Sequence, residues 1–75
     1  MTRNERKLKA IDQEMARYSD EIQGIWKKAE EEDRETSPEE RGEVEQRLKA
    51  IEVLKGDKAE VEQAIAVEQD VKKVG

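Results

Sequence analysis

The sequence predicts an all-α fold, an antiparallel helical hairpin or coiled coil that self-associates, and three observations carry that reading. Leu8, Ile11, Met15, Tyr18, Ile22, Ile25 and Ala29 follow one another at alternating steps of three and four residues. A helix restart signal stands at Ser37-Pro38-Glu39-Glu40. Beyond it a second apolar series, Val44, Leu48, Ile51, Leu54, Val61 and Ile65, runs for a comparable length. Only a period near 3.5 keeps a narrow apolar stripe turned toward a partner helix, so this spacing among charged residues points to helix pairing rather than to catalysis.

The first helix is expected over about residues 3–32. Its seam breaks at Glu32, where the next apolar position would fall, and the chain then reads Asp33-Arg34-Glu35-Thr36. Ser37 suits the N-cap of a new helix. Pro38 suits its first position, where a missing N–H goes unnoticed, and Glu40 stands where a capping box needs its acid. Pro38 also drives Ser37 out of the helical region, which ends the first helix before it. The turn is therefore placed at 33–37, with a second helix over about 38–72.

The second helix shortens its spacing between Leu48, Ile51 and Leu54, then continues through Lys58, Val61 and Ile65. Two successive steps of three resemble a stammer, which overwinds a coiled coil locally. Gly56 and Asp57 follow, and Asp57 with Glu60 has the form of another capping box, so 56–57 is a candidate kink in an otherwise continuous helix. A short connection favours an antiparallel pair in which facing residue numbers add up to roughly 70. Ile22 then meets Leu48, Tyr18 meets Ile51, Met15 meets Leu54 and Leu8 meets Val61. Ala64, Val67, Val71 and Val74 form a second row partly off the seam, and Trp26 sits beside it. Trp26, Val67, Val71 and Val74 are the candidate intermolecular contacts.

Composition limits the chain to a single domain spanning 1–75. With 75 residues, 47% charged and 33% hydrophobic, one Trp, one Tyr and no Phe, it cannot enclose a large core. A lone pair of helices is marginal on this count, so further apolar surface is expected to be covered by other copies or by a larger parent protein. Charge is bipolar: residues 1–9 carry Arg3, Arg6, Lys7 and Lys9 against Glu5, whereas residues 30–45 carry nine acids against Arg34 and Arg41. Opposed ends of this kind can steer head-to-tail or antiparallel contacts.

No cofactor or metal is expected. The chain has no Cys and no His, which removes disulfides, thiolate and imidazole ligands, and imidazole bases. Ser19, Ser37, Thr2 and Thr36 lack a group to activate them, and solvated glutamates on a rod have no cleft to split their pKa values. A calcium loop starting at Asp33 would put Pro38 at the sharp-turn glycine and Val44 at the bidentate acid. Basic residues are not interleaved with aromatics, so specific nucleic-acid binding has no stacking platform. No apolar stretch is long enough for a membrane span or a secretory signal, and a non-enzymatic, cytoplasmic role is the expectation.

The order of these features, a charged helix with a heptad seam, the acidic turn Glu31-Glu32-Asp33-Arg34-Glu35-Thr36-Ser37-Pro38-Glu39-Glu40, then Val44-x-x-x-Leu48-x-x-Ile51-x-x-Leu54, resembles a known family over nearly the whole chain. It is similar to the N-terminal delta region, the internal scaffolding domain, of major capsid proteins of Hong Kong-type tailed bacteriophages. The resemblance implies a coiled-coil scaffold fused to a capsid subunit, which guides capsomer and procapsid assembly and is removed on maturation. The partners it implies are other copies, the remainder of the capsid subunit and a maturation protease. The location it implies is the procapsid interior in the host cytoplasm. These residues contain no capsid-fold core, so the resemblance also implies an excised domain. The residue pattern by itself also fits a generic coiled-coil oligomerisation or adaptor module.

Overall fold

A computed structural model of the chain describes residues 2–74, with side chains described through residue 71. It is an all-α helical hairpin of α1, Arg3–Glu31, and α2, Pro38–Val74, with no strand among the described residues. The Cα radius of gyration is 17.4 Å over extents of 60 × 17 × 13 Å, whereas a compact domain of this length would have about 11 Å. The molecule is a rod two helices wide. Its core is therefore a stripe along one contact rather than an enclosed volume.

Each helix end is satisfied locally. Thr2 caps α1, its side chain accepting the Glu5 backbone N–H at 3.2 Å. At the other end the Asp33 N–H bonds to the Glu30 carbonyl and the Arg34 N–H to the Ala29 carbonyl, both at 3.0 Å. That pairing closes a Schellman motif. It requires a left-handed residue after the cap, and Asp33 takes that place at φ 51°. Asp tolerates this conformation better than most L-residues but still strains its Cβ, and it puts a negative charge at the negative end of the α1 dipole. Asp33→Gly is therefore expected to stabilise the hairpin by about 1 kcal/mol, read as a rise in the thermal melting midpoint.

α2 opens on a reciprocal capping box. Ser37 Oγ accepts the Glu40 N–H at 3.1 Å and Glu40 Oε1 accepts the Ser37 N–H at 2.9 Å. From there α2 runs as one α-helix through Gly56 and Asp57. A Cβ built at Gly56 would meet nothing within 4 Å, so this glycine stands on the outer face, where it costs only its propensity of about 1 kcal/mol. Seam residues on both sides of it hold the helix together.

The buried hydrophobic residues are Ile11, Ile22 and Ala29 on α1 and Val44 and Val61 on α2. Leu8, Met15, Tyr18 and Ile25 are half-buried, so all seven expected seam residues of α1 lie on the inner side. On α2 the inner stripe reads Glu40, Val44, Arg47, Ile51, Leu54, Lys58, Val61, Ile65 and Glu68, each buried or half-buried, at unbroken alternating steps of four and three. Leu48, expected on the seam opposite Ile22, is 50% exposed, and Arg47 takes the inner position beside it. The reason is helical phase: Val44, Ile51, Leu54, Val61 and Ile65 fix one rotation of a continuous helix, and Leu48 falls outside it. With Arg47 in place, the two short steps that suggested a stammer do not occur.

Candidate interaction surface

The contact between α1 and α2 is apolar in the middle and ionic at its margins. Arg47 Nε bonds Glu21 Oε2 at 3.0 Å, and its Nη1 also reaches the Glu43 carbonyl at 3.0 Å. Lys58 Nζ lies 2.9 Å from Asp12 Oδ1, a hydrogen bond that raises the Lys58 pKa above the usual lysine range. Asn4 Nδ2 donates to Glu68 Oε1. These three cross-links fix an antiparallel register in which facing residue numbers add up to about 70. Ile22 thereby faces the Arg47 layer, and Ile11 the Lys58 layer.

The acidic turn is organised by Arg34. Its guanidinium contacts both Glu40 carboxylate oxygens, at 2.6 and 3.2 Å, and Glu32 Oε2 at 3.0 Å, and donates to the Glu35 carbonyl at 3.2 Å. Glu40 and then Glu32 raise the Arg34 pKa further. In return Arg34, followed by the Ser37 backbone N–H, lowers the Glu40 pKa from 4.5 to about 2. A carboxylate with a depressed folded-state pKa contributes stability that is complete above its unfolded pKa and is lost as the pH falls through its folded one. The window for Glu40 thus runs from about pH 4.5 down to about 2. The melting midpoint of the native chain should fall further across that window than that of Glu40→Gln, as followed by circular dichroism; equal slopes would show that the Arg34–Glu40 link does not hold the turn.

Two apolar features are left in water. Trp26 is 51% exposed and lines a shallow groove with Ala29, Asp33, Arg34 and Thr36 at the turn. Along the outer side of α2, Val53, Val67 and Val71 are 65%, 56% and 65% exposed. Val53 was not among the candidate contacts read from sequence, although its spacing to Ala50 and Ala64 continues the same row. Val74 is within α2, but its side chain lies outside the described residues. Sequence reasoning also missed Thr2 as a cap, for which Thr2-Arg3-Asn4-Glu5 was the available signal, and Arg34 as the organiser of the turn, for which residue order carries no signal.

Among the described residues no group of three or more acidic side chains converges as a metal site would require. No helix is long and apolar enough to cross a membrane. The chain matches no family model, no curated protein and no solved structure.

Proposed function

We propose that this hairpin is a non-enzymatic assembly scaffold, the N-terminal coiled-coil region of a phage major capsid protein that guides capsomer and procapsid assembly and is removed on maturation. The observation that carries the reading is a 60 Å rod that buries only a thin seam and leaves a further apolar row of α2 in water. Such an element is incomplete alone and gains by associating. Its sequence resemblance to the delta region supports the specific role. A scaffold must hold subunits together weakly enough for wrong contacts to dissociate, and a charged hairpin suits this: its contacts are individually small, partly screened by salt, and strengthened when many copies are tethered.

In this reading the partners are other copies, the capsid subunit that carries the hairpin, and a maturation protease, and the site of action is the procapsid interior in the host cytoplasm. Deleting residues 1–75 from that subunit should leave a folded subunit that stays unassembled or forms aberrant particles under electron microscopy. Normal shells of normal size would remove the scaffolding role. A chain that drives oligomerisation of an unrelated fused subunit, with no capsid sequence following it in its gene, would instead support a general oligomerisation module.

A further inference from the structure

The exposed row of α2 lies roughly a third of a turn round the helix from the buried seam. Ala50, Val53, Ala64, Val67 and Val71 keep the three-four spacing of a second seam, interrupted by Asp57 and Glu60. Neither of these acids makes an ion pair among the described residues. On α1, the face on the same side of the rod carries Arg3, Lys7 and Arg17 with the small Ala10 and Gly24, all exposed. A Cβ at Gly24 would meet nothing within 4 Å. One row is apolar and acidic; the other is low and basic over its first half.

We infer that the partner of the α2 row is the basic α1 face of a second copy lying level with the first and pointing the same way. α2 of one hairpin is then antiparallel to α1 of the next, as it is to its own α1. In level rods Glu60 stands opposite Lys7 of the second copy and Asp57 opposite its Ala10, with Arg3 and Arg17 to either side. Docking two α2 rows on each other would instead set Asp57 and Glu60 against acids of their own kind, which like-charge repulsion disfavours. The contact joins different faces, so repetition about an axis along the rod closes a ring of hairpins. Trp26 lies outside it.

This assignment rests on the self-association in the scaffolding reading, and the experiment separates the two. Val53→Glu with Val67→Glu alters only exposed positions, so helicity in dilute solution should be unchanged while sedimentation equilibrium shows self-association weakened tenfold or more. The native chain has no cysteine, which allows single-cysteine copies to report the orientation. Oxidising a mixture of Ala10→Cys and Asp57→Cys chains should give the mixed disulfide in excess of both homodimers. An excess of Asp57→Cys homodimer, or association untouched by the two glutamates, would overturn the face assignment while leaving the scaffold reading standing. A native chain that stays monomeric up to millimolar concentration would overturn both.

Discussion

Ile22→Ala should cost the hairpin about 2–4 kcal/mol, whereas Leu48→Ala should cost less than about 1 kcal/mol. Ile22 is 4% exposed and Leu48 is 50% exposed, although sequence spacing makes them equal partners. Truncating Ile22 removes methylenes from the inner stripe beside the Arg47 layer, and a two-helix rod has no further layer to collapse into the space. With only five buried hydrophobic residues among those described, a loss of this size should leave the chain largely unfolded when dilute. Helicity measured against urea for the two variants decides it. Equal losses, or a larger loss at Leu48, would place Leu48 rather than Arg47 on the seam.

Arg47→Leu should act in the opposite direction and stabilise the hairpin by about 1–2 kcal/mol, because it brings a fully apolar side chain against Ile22. What it removes is small: the Arg47–Glu21 pair is part-exposed at 28% and 41%, and such pairs contribute about 0–1 kcal/mol. Glu21 stays in water after its partner is gone, so no unpaired buried charge results. A gain of this size corresponds to a rise of roughly 4–15 °C in the melting midpoint of a domain this small. The cost should appear in specificity, since the Arg47 and Lys58 cross-links pin the register in the way that a polar residue in a coiled-coil seam does. A fall in the midpoint would mean that the ion pair contributes more than its exposure allows.

These two outcomes mark where residue order ends and packing begins. The seven apolar positions of α1 were legible because a regular period on one helix needs no partner to be recognised. The restart at Ser37, Pro38 and Glu40 was legible because capping is local chemistry, complete within four residues. The antiparallel hairpin followed from these together with the shortness of the turn. So did its approximate register, since two stripes of similar length joined by a few residues can align in few ways.

The tertiary contact decided what spacing alone left open. Hydrophobicity favoured Leu48 over Arg47, but a helix of 37 residues has a single rotational phase, set jointly by all the residues that must face α1. One leucine cannot turn it. Lys58 and Arg47 fit the inner stripe because their long stems cover apolar surface while their charges reach Asp12 and Glu21 at its edge, and only the folded pair brings those acids within reach. The same geometry picked out Arg34 as the residue that ties Glu32 and Glu40 across the turn. It also placed Val53 with Val67 and Val71 on an open side of the rod, a property that depends on where α1 lies rather than on how apolar each residue is.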